Sequence, residues 1–153
     1  MESSLFNIFV YGTLKRGQRN HAPYCDGALD VREAEVCGWL YDLPFGFPAL
    51  VVPEETILAV GTGDYAGDAG KQRSEVRMIL PSKSVAHGEL PTFDDPKAQL
   101  PALDGLEGFR PGEPGLYQRV LIPVHADGES LLAWAYTVER PAGNYLPGGE
   151  WPL

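Results

Sequence analysis

Phe6-Asn7-Ile8-Phe9-Val10-Tyr11-Gly12-Thr13-Leu14-Lys15-Arg16-Gly17-Gln18-Arg19-Asn20-His21 is the stretch on which the reading of the chain turns. It opens inside an apolar run, Leu5 to Tyr11, whose β-branched and aromatic residues predict a buried strand. The run stops abruptly at Gly12-Thr13. A glycine directly after a buried strand marks a sharp bend or a close approach by something else. Beyond the bend the chain turns basic through Lys15, Arg16 and Arg19. Successive amide N–H groups in such a turn can converge on one hollow that suits an anion such as a carboxylate. The plain alternative is a strand-turn that binds nothing, its basic residues simply solvated.

At 153 residues the chain predicts a single domain with a real core, and 44% apolar with 22% charged residues is ordinary for a globular protein. Eighteen glycines and fourteen prolines favour turns and short strands over long helices. A net charge of −9 argues against a general affinity for nucleic acid or an anionic membrane. Met1-Glu2-Ser3-Ser4 lacks the basic start of a secretory signal, and no stretch reaches transmembrane length, so the expected location is the cytoplasm. There Cys25 and Cys37 are expected to be reduced and packed. His21, His87 and His125 stand at no metal-ligand spacing, so no metal is expected.

Further along, Asn20, Pro23 and Gly27 bracket a short helix. Val31 to Leu43 alternates in part as a strand with one irregularity or tight packing contact at Gly38, and Pro44-Phe45-Gly46-Phe47-Pro48 turns the chain into a short strand, Ala49 to Val52. Residues 53–83 predict an extended hairpin insertion, with strands Ile57–Val60 and Val76–Leu80 around a mobile, glycine-rich tip, Gly61–Gly70. That tip lacks the ligand order of a calcium loop. Ser84–Phe93 returns to a strand. Asp94-Asp95-Pro96 starts a helix with Leu100, Leu103 and Leu106 on one stripe, Pro101 in its first turn and Gly108 as its cap. Leu116–Val124 and Ser130–Glu139 form a hairpin through His125-Ala126-Asp127-Gly128-Glu129, and the tail Pro141–Leu153 packs over the sheet. Many short strands and few helices argue a small closed or nearly closed β structure with helices outside.

One carboxylate stands out. Glu107 ends the amphipathic helix in Leu103-Asp104-Gly105-Leu106-Glu107-Gly108-Phe109, where a negative charge is disfavoured. Partial burial there would raise its pKa toward the range useful for general acid–base work; the bland reading is an exposed, mildly unfavourable Glu. Asp104, one turn earlier, is expected to be solvated or bonded to a neighbouring strand or loop. No nucleophile elbow, phosphate loop or dinucleotide fingerprint is present.

Tyr11-Gly12-Thr13-Leu14-Lys15-Arg16-Gly17 followed by Asn20-His21 resembles the opening motif of the γ-glutamylcyclotransferase-like family, most closely its γ-glutamylaminecyclotransferase branch. Phe47-Pro48-Ala49-Leu50-Val51, His87-Gly88-Glu89-Leu90, the Leu103–Gly108 piece and Leu116-Tyr117-Gln118-Arg119 follow in the family's order. The strand ending at Tyr136 and the Gly149-Glu150-Trp151 tail match as well. The resemblance spans nearly the whole chain and implies an α+β fold, a small mixed β-barrel with a few short flanking helices. It departs at residues 53–83, longer than the usual connection, and at Leu90-Pro91, where an aromatic wall is either missing or supplied by Phe93.

The implied reaction is intramolecular. The α-amine of a γ-glutamyl amide attacks its own γ-carbonyl, releasing 5-oxoproline and a free amine (cyclotransferase chemistry of the lyase type). The resemblance implies that Glu107 is the catalytic acid/base. Backbone N–H groups of Gly12, Thr13 and Leu14 suit the α-carboxylate, and Tyr11, Tyr117 and Tyr136 suit the pocket wall. Arg119 either balances charge near the site or simply pairs on a strand, and pairing is the favoured expectation. No cofactor is expected, the partner is a small γ-glutamyl molecule, and the chain is expected to be a monomer or weak homodimer. A reading of another class is a catalytically silent module that holds a γ-glutamyl or small carboxylate ligand in the same hollow.

Overall fold

A computed structural model describes residues 5–72, 84–141 and 143–152 of the chain. The opening run forms β1 (Phe6–Phe9), and the chain then bends into the short helix α1 (His21–Cys25). β2 (Asp30–Cys37) and β3 (Trp39–Asp42) follow, parted at Gly38. A side chain there would stand 2.6 Å from the Val51 carbonyl oxygen, so the expected irregularity is a close backbone crossing. β4 (Pro48–Val51) returns along β3 after the aromatic turn. β5 (Ala59–Val60), α2 (Tyr65–Lys71), β6 (Val85–Phe93), α3 (Pro96–Glu107), β7 (Gln118–Ala126), β8 (Glu129–Thr137) and β9 (Asn144–Tyr145) complete the order.

The large sheet runs β2-β6-β1-β8-β7-β5, and β2 also pairs with β7 at Glu35 and His125. That pairing closes five strands into a barrel. β1 lies parallel to β8 and the other pairs are antiparallel, so the barrel is mixed. A second sheet, β4-β3-β9, carries the tail strand. Alternation divides the core in two. Phe9, Val36, Leu90, Ile122, Ala133 and Ala135 belong to a cluster with Leu40, Leu50 and Trp151, filling the barrel. Phe6, Ile8, Leu121, Leu132 and Trp134 face the other way, against Leu100 and Leu103 of α3.

Local signals explain several elements. Asp95 caps α3 by accepting from the Ala98 amide, Pro96 opens the helix, and Gly108 ends it at φ 70. Asp127 and Gly128, with φ of 51 and 75, give the doubly left-handed turn that joins β7 to β8. Pro101 lies inside α3 rather than in its first turn. Asn20 leaves α1 without a side-chain cap and instead bonds back to Thr13.

The stretch after Pro53 departs from expectation. β5 pairs with β7, and the expected partner strand Val76–Leu80 falls outside the described residues. Gly61–Gly70 is not an irregular hairpin tip. Most of it is α2, whose Asp68 is fully buried and whose backbone carbonyl at Asp68 accepts from Trp134 Nε1 at 2.9 Å. Gln72 continues the attachment, its side chain accepting from the Asn7 amide and donating to the Leu5 carbonyl. Tertiary bonds to buried partners override the poor helix propensity of Ala66-Gly67-Asp68-Ala69-Gly70.

Candidate active site

Strand direction places the site. Parallel pairing of β1 with β8 sets the bend after β1 beside the end of β8, and antiparallel pairing brings the start of β7 to the same end. A cavity of about 320 Å³ opens there. Tyr11, Gly12, Thr13, Leu14, Tyr117 and Tyr136 all line it, together with Glu107 from the end of α3. The sequence-based candidates therefore converge on one hollow although they span almost the length of the chain.

The bend is held by Asn20. Its amide nitrogen donates to the Thr13 carbonyl at 2.9 Å, and its Nδ2 donates to Thr13 Oγ1 at 2.9 Å. His21 Nδ1 lies 2.9 Å from the Leu14 carbonyl oxygen and donates to it in the Nδ1–H tautomer. Lys15 returns its amide to the Gly12 carbonyl at 3.1 Å. Among the described residues, no backbone carbonyl takes the amides of Gly12, Thr13 and Leu14. Three donors at a clamped bend, beside a cavity, are an arrangement an anion can use. Close approach at Gly12 comes from Pro48: a Cβ there would stand 2.7 Å from its ring carbons.

All three tyrosine hydroxyls are committed to the protein. Tyr11 donates to the Tyr136 carbonyl at 2.5 Å, Tyr117 to the Pro48 carbonyl at 2.6 Å and Tyr136 to Asp104 Oδ1 at 2.6 Å. Burial raises the pKa of each, and the neighbouring Glu107 charge raises it further. They stay protonated, and what they offer a ligand is fixed ring surface.

Burial pushes the Glu107 carboxyl up to about 7. Its aim is set one turn earlier. Asp104 is buried, accepts the Tyr136 hydroxyl, and takes Arg119 Nε at 2.8 Å and Nη2 at 3.2 Å. Residues three apart share a helix face, so fastening Asp104 to β7 and β8 turns Glu107 toward the cavity. Arg119 is a strand residue paired as expected, but it is fully buried and reaches further, donating through Nη1 to Asp68 Oδ2 at 3.0 Å. Its guanidinium lies 4.9 Å from the Trp134 ring centroid. Burial alone would raise the Asp68 carboxyl, yet hydrogen bonds from Thr62 and Arg119 outweigh it and hold it below the ordinary range.

Sequence reasoning missed this Asp68–Arg119–Asp104 cluster, because no local pattern joins residues so far apart. Arg19, Asn20, Phe47 and Leu116 also line the cavity, and each adjoins a motif residue. Phe93 does not: it packs against Phe6 with ring centroids 5.7 Å apart, and the aromatic walls are Phe9, Phe47 and the three tyrosines. Of the basic cluster, Arg16 is drawn off to Glu89 and Glu33. Cys25 and Cys37 are not joined in a disulfide, and burial followed by the Glu89 charge pushes Cys25 up to about 12. No helix among the described residues is long and apolar enough to cross a membrane.

Comparison with known proteins points one way. The sequence profile described as Gamma-glutamyl cyclotransferase, AIG2-like, matches residues 8–65 and 71–153. The gamma-L-glutamyl-butirosin B gamma-glutamyl cyclotransferase of Niallia circulans is 26% identical over 136 residues, covering 88% of this chain and 67% of that protein. An AIG2-like protein from Mus musculus superposes with a TM-score of 0.55 at 26% identity, over 90% of this chain and 80% of its own. YkqA from Bacillus subtilis shares the fold at a TM-score of 0.61 and 19% identity. The match covers 96% of this chain but only 39% of YkqA, so the chain spans about two fifths of that protein's length.

Proposed function

The chain belongs to the gamma-glutamyl cyclotransferase, AIG2-like family, and from that premise we propose that it cleaves a γ-glutamyl amide through the substrate's own α-amine, with Glu107 as the acid/base. The observation that carries the reading is the Glu107 carboxyl, raised to about 7 by burial, in a residue that lines the same cavity as Gly12, Thr13 and Leu14. A carboxyl near neutrality can accept a proton and return it at ordinary pH.

Those amides hold the α-carboxylate. The rigid walls of Tyr11, Tyr117 and Tyr136 keep the chain of the γ-glutamyl group folded so that amine and carbonyl meet, which removes much of the entropic barrier. Glu107 takes a proton from the α-ammonium, and the freed amine attacks the γ-carbonyl carbon. As the new C–N bond closes the five-membered ring, the old one breaks, and Glu107 delivers to the departing nitrogen first the proton it took and then the second one shed by the ring nitrogen. Of the three ammonium protons, one stays on the lactam nitrogen of 5-oxoproline and two end on the departing amine. This chemistry needs no cofactor.

Incubation with a panel of γ-glutamyl amino acids and γ-glutamylamines, with 5-oxoproline as the readout, tests the proposal. Release from at least one member, lost in Glu107→Gln, is the expected result. Binding without release from every member would favour the silent binding module instead.

A further inference from the structure

We propose that Arg19 and the Phe45–Phe47 turn form the subsite for the departing half of the substrate, and that this half is an apolar or aromatic amino acid whose carboxylate Arg19 pairs. The inference rests on the cyclotransferase reading above. Inside the cavity the γ-glutamyl half already has its partners, the bend amides for its carboxylate and Glu107 for its ammonium. Among the described lining residues Glu107 is the one carboxylate and Arg19 the one cation. Arg16, three residues earlier, is occupied by Glu89 at 3.1 Å and Glu33 at 3.3 Å. Arg19 makes no ion pair with a described residue, and nothing in the γ-glutamyl half is left for it.

Its guanidinium lies over the aromatic turn. The two terminal nitrogens stand 3.7 and 3.9 Å from where a Cβ on Gly46 would be, and Gly46, at φ +83, is the left-handed residue of the turn between Phe45 and Phe47. The Phe45 ring stacks on Phe47 with centroids 5.7 Å apart and planes 29° from parallel, and Phe47 in turn lies 6.3 Å from Tyr117. A ladder of rings thus leads from Phe47 and Tyr117 at the cavity wall to the surface, where Phe45 is 68% exposed; Leu116, a lining residue, is 52% exposed. At about 320 Å³ the cavity sits near the low end of small-ligand sites, roughly 300–1,000 Å³, so a bulky departing group extends to this mouth. A flat cation beside an exposed apolar ladder matches a carboxylate attached to an apolar body, and a guanidinium can take that carboxylate through two parallel N–H donors. A cationic amine would be repelled at the same place.

The experiment compares γ-glutamyl-phenylalanine with γ-glutamyl-phenethylamine, which differ only in the carboxylate of the departing half. With wild-type protein, kcat/KM should favour the acid by about tenfold, the size of one charge-assisted contact at a partly exposed site. In Arg19→Met the ratio should fall to near one, the loss falling mainly on the acid, and Arg19→Lys should recover part of it. Equal kcat/KM for the two compounds on wild type overturns the proposal. So does an Arg19→Met variant that slows both by the same factor, since Arg19 would then serve the γ-glutamyl half or the fold. If neither compound, nor any other γ-glutamyl amide, yields 5-oxoproline, the cyclotransferase reading fails. Calorimetric Kd values for the same pair then decide on Arg19: a tenfold preference lost in Arg19→Met supports the subsite, and equal affinities overturn it.

Discussion

Glu107 makes its ionisation state visible in both rate and stability. Partial burial in the fold raises its carboxyl to about 7 against an ordinary 4.5, so the folded chain holds this proton more tightly than the unfolded one. Stability from that proton is complete below 4.5 and is lost as pH rises through about 7. Glu107→Gln, which cannot ionise, is therefore expected to gain roughly 1–3 kcal/mol over wild type at pH 8 relative to pH 4, read from thermal melts. An equal gap at both pH values would contradict it. In kinetics the same residue should give wild-type kcat/KM a limb rising through about pH 7, and Glu107→Gln should lose that limb with roughly 10²–10⁴ of the rate. The bend needs a different probe. Gly12→Val drives a side chain into the Pro48 ring, so its failure would report packing and not anion binding. A substrate analogue lacking the α-carboxylate avoids that confusion, and it is expected to bind about 10- to 100-fold more weakly if charged hydrogen bonds to the amides hold the group. Equal binding would remove the anion hollow from the mechanism.

At the scale of elements, α2 is fastened to the barrel by charge. Arg119 of β7 bridges Asp68 of α2 and Asp104 of α3, all three buried. Taking the arginine away leaves buried Asp104 without a cation and Asp68 with Lys71 alone, at 3.2 Å, and Arg119→Met is expected to lose about 3–5 kcal/mol in urea unfolding. Asp68→Asn should cost less, because Arg119 keeps Asp104. Since the Asp68 carboxyl is held below 3.8, its contribution is full above that value and disappears as pH falls through its folded value. The deficit of Asp68→Asn should accordingly shrink in acid. Deleting 61–70 removes Asp68, the Trp134 acceptor and the Thr62 donors together, and it is expected to abolish folding, read by far-UV circular dichroism. A folded deletion variant with altered selectivity would return the segment to a dispensable loop. Sequence signals were clear for α3, where cap, proline and glycine agree, and for the β7–β8 turn. They were misleading for α2, whose glycines and aspartates describe a loop until the buried guanidinium is in view.

The whole molecule is tied together by strands that serve both parts of the core. Phe9 of β1 packs inside the barrel while Phe6 and Ile8 pack outside, and β8 divides Ala133 and Ala135 from Trp134 in the same way. Neither cluster can be lost without opening strands of the other. Unfolding is expected to be a single transition, with tryptophan fluorescence and far-UV circular dichroism coinciding in urea. Trp134 lies in the outer cluster and Trp151 in the inner one, so two separated fluorescence steps would show the halves melting apart.

By itself the sequence determined what depends on neighbours in the chain: the buried strand before Gly12, the caps of α3, the Asp127-Gly128 turn and the family motifs that name Glu107 a candidate. Period, turn chemistry and caps act over a few residues, so they can be read without the fold. Tertiary structure alone decided the rest. Barrel closure through Glu35 and His125, the pairing of Arg119 with Asp68 and Asp104, the use of Asn20 as a clamp on Thr13, and the place of Arg19 over the aromatic turn all join residues far apart in sequence or oriented by distant packing. Their energies come from burial and from charges met inside the fold, and those exist only once the strands have closed.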